Sequence, residues 1–170
     1  MQPAQAMGKA GGVFRLESGG GILTVETMAV VHKSILLGYS AEQMFALVDK
    51  VEDYPSFLPW CGQVEVRERG PDRLVAAITI DYHGIKQSFT TENSNTPPTA
   101  MQMKLVEGPF SHLDGQWHFR ALRPDACKVE FDLHYEFSSK LLEKIIGPVF
   151  AKIADSFVES FRQRAESLYG

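Results

Sequence analysis

Between Val30 and Gly170 the spacing of apolar residues changes period several times, and each change marks an element. Val30 to Leu37 reads as a strand. Ser40 then opens a helix: Gln43, three residues on, completes a capping box, and Phe45, Leu47 and Val48 give the helix an apolar face. A shorter helix is expected at Asp53 and Pro55, because proline is tolerated in a first turn, and Pro59 ends it. Alternation then predicts a series of strands. Val64 and Val66 mark the first, and Leu74, Ala76, Ile78, Ile80 and Tyr82 share a face of the second. His83-Gly84 makes a tight turn into a return strand carrying Ile85, Gln87, Phe89 and Thr91. Asn93 to Thr99, with Pro97-Pro98 inside it, reads as a loop. Met101, Met103 and Leu105 mark the next strand, and Leu113, Trp117, Phe119 and Ala121 the one after.

The last strand alternates most cleanly. Cys127, Val129, Phe131, Leu133, Tyr135 and Phe137 take one face; Lys128, Glu130, Asp132, His134 and Glu136 take the other. One face on a core and one in water is what an antiparallel sheet permits. After Ser138-Ser139 the period lengthens, and Leu142, Ile146, Val149, Phe150, Ile153, Phe157 and Phe161 fall on one helical stripe. Gly147-Pro148 is expected to break or kink this segment, so that the main helix runs from Pro148 toward Leu168, about 20 residues or ~30 Å. Strand, two helices, six strands and a long helix make an α+β chain with one sheet and one dominant helix.

Composition narrows the reading. At 170 residues the chain suits one domain, and 44% hydrophobic with 22% charged residues is ordinary for a globular protein. The net charge of −4 argues against a dedicated nucleic-acid binder and against DNA as a partner. Cys61 and Cys127 lie far apart with no metal-ligand spacing, which fits a reducing cytoplasm. No run is long and apolar enough to span a bilayer. Residues 1–27 are glycine-rich and aperiodic, and are expected to be a disordered leader or a mis-assigned start, with Met28 opening a single domain over 28–170.

Candidate chemistry is sparse. His32, His83, His112, His118 and His134 show no i, i+4 pairing of a zinc enzyme, and His118 and His134 fall on solvent-facing positions, so no metal is expected. Cys61 lacks any neighbour that would activate it and reads as an inert, partly buried thiol, while Cys127 starts an inward row. Asp81, Glu92, Glu130, Asp132 and Glu136 fall mostly on polar faces, and Asp114 reads as part of a turn or bulge. With no nucleophile–base constellation and no phosphate loop, a non-enzymatic protein without a cofactor is the expectation. What remains is apolar surface. By itself it would fill a core. The aromatics on a small proline-bounded helix and the alternating methionines Met101 and Met103 favour an apolar slot instead.

Three segments carry a resemblance: Tyr54-Pro-Ser-Phe-Leu-Pro-Trp-Cys61, Gly108-Pro-Phe110 followed by Trp117, and Phe157 to Gly170. In these, and from about Val31 to Gly170, the chain resembles the ribosome association toxin RatA and coenzyme Q-binding proteins of the START-like, polyketide cyclase-like superfamily. The resemblance implies a helix-grip fold: a curved seven-stranded antiparallel sheet wrapped around a long C-terminal helix, with two short helices after the first strand. It implies binding of a hydrophobic small molecule, an isoprenoid quinone such as ubiquinone, in support of respiration.

The expected cavity-lining set is drawn from three places. Tyr54, Phe57 and Trp60 come from the short helix. Gln87, Phe89, Met101 and Met103, with Phe110, Trp117, Phe131 and Tyr135, come from the sheet. Phe150, Phe157 and Phe161 come from the long helix. Tyr54, Gln87 and Tyr135 are the expected holders of a polar headgroup. A carrier of this kind would be cytoplasmic, with transient contact at the inner membrane through exposed aromatics near the lid. The alternative is a RatA-type toxin blocking association of ribosomal subunits, with Arg67, Arg69 and Arg73 as a basic edge. A cyclase or dehydratase would require an ionisable group facing inward.

Overall fold

The computed structural model describes residues 28–170 and, as backbone, two short strands before them, β1 (Arg15–Ser18) and β2 (Gly21–Thr24), which pair antiparallel. The reading of 1–27 as a leader or mis-assigned start otherwise falls outside the described residues. The domain opens with β3 (Ala29–Leu37), then α1 (Ala41–Asp49), a 3-10 turn (Val51–Asp53) and α2 (Tyr54–Phe57). Six strands follow: β4 (Cys61–Arg69), β5 (Arg73–Tyr82), β6 (Ile85–Thr96), β7 (Ala100–Glu107), β8 (Phe110–Arg123) and β9 (Ala126–Phe137). A 30-residue helix, α3 (Lys140–Tyr169), closes the chain.

The seven strands β3 to β9 form one antiparallel sheet in the order β3-β9-β8-β7-β6-β5-β4. Consecutive strands from β4 to β9 are neighbours, and β3 completes the far edge beside β9. Register shifts in β4, between Thr90 and Thr91, and at both ends of β8 bend the sheet. Its concave face receives α3. In β9 the alternation of the sequence reappears as burial: Cys127, Val129, Phe131, Leu133, Tyr135 and Phe137 are all buried. At the β5–β6 hairpin His83 and Gly84 both take positive φ, 49° and 79°, as a two-residue turn matched to strand twist requires.

The capping box at α1 is formed. Gln43 N–H donates to Ser40 Oγ at 3.1 Å, and Ser40 N–H donates to Gln43 Oε1 at 2.9 Å. At α2 the chain enters through the 3-10 turn, Pro55 occupies the first turn, and Leu58, held before Pro59, is already extended.

Three expectations are corrected. The long helix does not start at Pro148: it runs unbroken from Lys140, with Ser139 Oγ capping Leu142 N–H. Pro148 sits inside it on the exposed side. Ile146 and Phe150 on either side are nearly fully buried, and packing of about 1.5–3 kcal/mol for each offsets the ~3 kcal/mol proline penalty. The expected loop from Asn93 is mostly strand: β6 continues to Thr96, with Asn93 paired to Leu74 on one side and Met103 on the other. Asp114 is neither turn nor bulge; it lies in regular register opposite Lys104 and His134.

The sheet and α3 are joined by rings and, among the described residues, by an ion pair. Phe161 meets Tyr54 at 5.4 Å, Phe57 at 5.4 Å, Trp117 at 5.5 Å and Phe157 at 5.0 Å between ring centroids. Lys33, buried on the concave face of β3, reaches Asp155 of α3, Nζ to Oδ1 2.6 Å. Phe161→Ala is expected to cost roughly 3–5 kcal/mol, since it empties the point where α2, α3 and β8 meet. In urea the midpoint falls while the slope of the transition is unchanged.

Candidate functional site

A cavity lies between the concave face and α3, beneath α2. Its unfilled space is about 670 Å³ counted out to its open mouth, of which about 70 Å³ can hold the centre of a water molecule. The free slot is therefore narrow. Its roof comes from Val51, Tyr54 and Trp60, and its helical wall from Phe150, Ile153, Ala154 and Phe157. Ala76 and Ile78 of β5, with Phe89, Thr91 and Asn93 of β6, form one side of the floor. Met103, Leu113, Phe131 and Leu133 form the other.

Small residues make the space. Ala76 of the sheet and Ala154 of the helix both line it, and Gly115 lies in register between the lining residues Met103 and Leu133. A Cβ on Gly115 would stand 2.5 Å from Met103 Cε, so any larger residue there drives Met103 toward the slot.

Of the residues expected to line a slot, Tyr54, Trp60, Phe89, Met103, Phe131, Phe150 and Phe157 face this cavity. The others do not border it. Phe57 packs on Tyr54 and Phe161, with the Arg164 guanidinium 5.0 Å above its ring. Trp117 lies behind Phe157 and Phe131, and Met101 is buried beside it in register. Phe161 holds α2 from behind. Phe110 and Tyr135 join Phe137 around Phe150, at 5.0 and 4.6 Å from that ring. Gln87 is half-buried on β6 opposite Ile80.

The polar groups differ from those expected. Tyr54 is engaged: its hydroxyl donates to the Val48 carbonyl, and burial raises its pKa far above the ordinary tyrosine value, so it stays neutral. Thr91 and Asn93, which share the inward face of β6, supply the polar side chains of the floor, and Thr91 Oγ1 donates to Asn93 Oδ1 at 3.2 Å. Asn93 was hidden because Asn-Ser-Asn before Pro97-Pro98 carries the composition of a loop. Among the described residues no Asp, Glu, Lys, Arg or His lines the cavity.

Elsewhere, charges are paired on the surface. Arg67 contacts Glu107 at 2.9 Å; Arg69 contacts Asp49 and Glu52 at 3.3 and 2.6 Å; Arg73 contacts Glu92 at 3.1 Å and also Glu68. The expected basic edge is thus neutralised in place. The lid aromatics are not exposed either: Tyr54 and Trp60 are buried and Phe57 is half-buried, and the exposed apolar side chains near the start of α3 are Leu141 and Ile145. Among the described residues no three His, Cys, Asp or Glu side chains converge as metal ligands, and no helix is long and apolar enough to cross a membrane.

A seven-stranded curved sheet gripping a C-terminal helix over an internal slot defines a START-like helix-grip protein. Residues 37–162 match the family described as polyketide cyclase / dehydrase and lipid transport, and the chain belongs to it. The ribosome association toxin RatA of Escherichia coli K12 is 41% identical over 150 residues, covering 88% of this chain and 95% of that protein. The persistence and stress-resistance toxin PasT of E. coli O6:H1 gives the same figures. The coenzyme Q-binding protein COQ10 homolog B of Xenopus laevis is 28% identical over 142 residues, covering 81% of this chain and 58% of that protein. Among solved structures, a START superfamily protein of Mycobacterium smegmatis superposes with a TM-score of 0.69 at 19% identity, covering 82% of this chain and 98% of that one. The Zhui aromatase/cyclase of Streptomyces superposes with 0.68 at 17%, covering 82% and 94%. At such identities these two share the fold.

Both cysteines are buried, and burial pushes each thiol from 9.0 up to about 11. The fold favours the neutral thiol. That contribution to stability is complete below pH 9, is lost as pH rises from 9 to about 11, and is gone above it. A disulfide reagent at pH 8 is therefore expected to label the native protein far more slowly than the urea-unfolded chain. The rate should climb with pH toward about 11 rather than level off near 9.

Proposed function

We propose that this protein binds a hydrophobic molecule of the isoprenoid quinone class in the slot between sheet and helix, and does not transform it. The observation that carries the reading is the cavity itself: apolar, partly open to solvent, and, among the described residues, without an ionisable side chain apart from the neutral, already engaged Tyr54 hydroxyl. Acid–base chemistry needs a titratable group within reach of the reacting atom, and this lining offers none with a shifted, useful pKa. Binding would rest on apolar burial, about 25 cal/mol per Å². The likeness to coenzyme Q-binding proteins supports the choice of ligand class. The narrowness of the free slot means that α2 or α3 moves outward as the guest enters. In this reading the protein works in the cytoplasm and meets the membrane transiently, with Leu141 and Ile145 as apolar contacts at the start of α3 and no DNA partner.

A second reading, action on the ribosomal subunits, is favoured by the near full-length likeness to proteins named ribosome association toxin. It would use an outer surface; the pairing of Arg67, Arg69 and Arg73 with carboxylates weakens that edge as the contact.

Native mass spectrometry of protein purified gently from its host is expected to show an added mass of an isoprenoid quinone. Ala76→Leu and Ala154→Leu, which fill the slot at a cost of about 1–3 kcal/mol, should remove that mass while the protein stays folded. Undiminished loading of both filled variants would place the ligand outside the slot. In parallel, sedimentation of ribosomes from overexpressing cells separates the readings: free subunits that accumulate equally with wild type and filled variants favour the surface role.

A further inference from the structure

The cavity's polar inventory is unbalanced. Trp60 lines the slot, is only 5% exposed, and its indole Nε1–H has no hydrogen-bond partner. Asn93, 8% exposed, uses its Oδ1 to accept from Thr91, and no bond engages its Nδ2 amide hydrogens. The Tyr54 hydroxyl hydrogen is already spent on Val48. The groups left unmatched are thus donors, contributed by the roof and the floor of one apolar space. A buried donor without a partner costs about 1–3 kcal/mol; the Trp60 indole N–H is such a donor, and with the Asn93 amide left without a bond in the same cavity it marks a place where an acceptor belongs.

The chemistry of that acceptor is constrained. No cation lines the slot, so a carboxylate or phosphate brought inside would lack a countercharge and would be excluded by desolvation. An amine would bring further donors to a site that already has a surplus. An uncharged carbonyl oxygen on a flat apolar ring satisfies the N–H groups and leaves no charge buried.

Resting on the carrier reading and deepening it, we propose that Asn93, oriented by Thr91, and the Trp60 indole N–H form a subsite for a carbonyl oxygen of an uncharged ligand. The subsite selects carbonyl-bearing rings over hydrocarbons of the same shape and over acidic lipids. Thr91 is the positioning residue: its bond occupies Oδ1 and turns the amide N–H groups toward the space.

The test compares two probes that share a short prenyl tail, a benzoquinone and the corresponding arene without oxygens. Binding is read by quenching of tryptophan fluorescence and by the ¹H–¹⁵N indole resonances. Wild type is expected to bind the quinone at least tenfold more tightly than the arene and to shift the Trp60 indole N–H resonance downfield with the quinone only. Asn93→Leu should weaken the quinone about tenfold, the loss of roughly one buried hydrogen bond, and leave the arene unchanged. Trp60→Phe keeps the ring, removes the N–H and should act in the same direction; Thr91→Val should give a smaller loss, also confined to the quinone. If wild type binds both probes equally, or if Asn93→Leu and Trp60→Phe weaken both equally, the subsite is wrong while the slot stands as an apolar binder. If wild type binds neither, the carrier reading falls and the subsite falls with it.

Discussion

Two groups of aromatic rings hold α3 away from the middle of the sheet, and the rest of the architecture depends on that separation. At one end Trp117, Phe157 and Phe161 meet Tyr54 and Trp60; at the other Phe150 is enclosed by Phe89, Phe110, Tyr135 and Phe137. Each ring contributes burial and an edge-to-face preference, so the two piers are rigid and specific. Between them small residues line the space, Ala154 above and Ala76 below, with Gly115 beneath Met103 and Leu133. A helix supported at both ends over small residues cannot collapse onto the floor without losing ring packing at one pier. The cavity is thus a consequence of how side-chain volume is distributed along two elements, and α2 is held over it by Tyr54, whose ring joins a pier and whose hydroxyl ties back to α1.

Much of this distribution could be read from the chain, for a simple reason. Strand periodicity is local, so the inward row of β9 from Cys127 to Phe137 appears directly as alternation, and the capping box at Ser40 and Gln43 is a short-range device with a short-range signal. Pro148 misled because its local penalty was set against burial of Ile146 and Phe150, which only the folded sheet supplies. Asn93 misled in the opposite sense. The backbone ladder of β6 takes any non-proline residue, and composition cannot reveal that its partners on both sides, Leu74 and Met103, hold it in register. The arginines were visible as charges but their neutralising partners, such as Glu107 for Arg67 and Asp49 for Arg69, lie 40 and 20 residues away.

For the site, the aromatic residues were legible as a set, but not their depth. Phe157 and Phe161 share a helical stripe, and Phe131 and Trp117 share a face of the sheet, yet only Phe157 and Phe131 border the space. A period identifies a face; it does not identify which residues on that face stand at a gap and which stand behind it. That depends on the small residues, and a glycine such as Gly115 carries no periodic signal at all. The polar lining escaped for the related reason that a useful donor is defined by lacking a partner, which no sequence displays.

The unpaired donors bear on stability as well as on recognition. Trp60 Nε1–H is buried without a hydrogen-bond partner, which makes the free fold less stable than its ring packing alone would make it. A guest that supplies an acceptor relieves this cost and adds apolar contact, so loading raises stability by the logarithm of its concentration over its dissociation constant. An ionised guest could not do the same, because relief of a buried donor is small beside the desolvation of a charge.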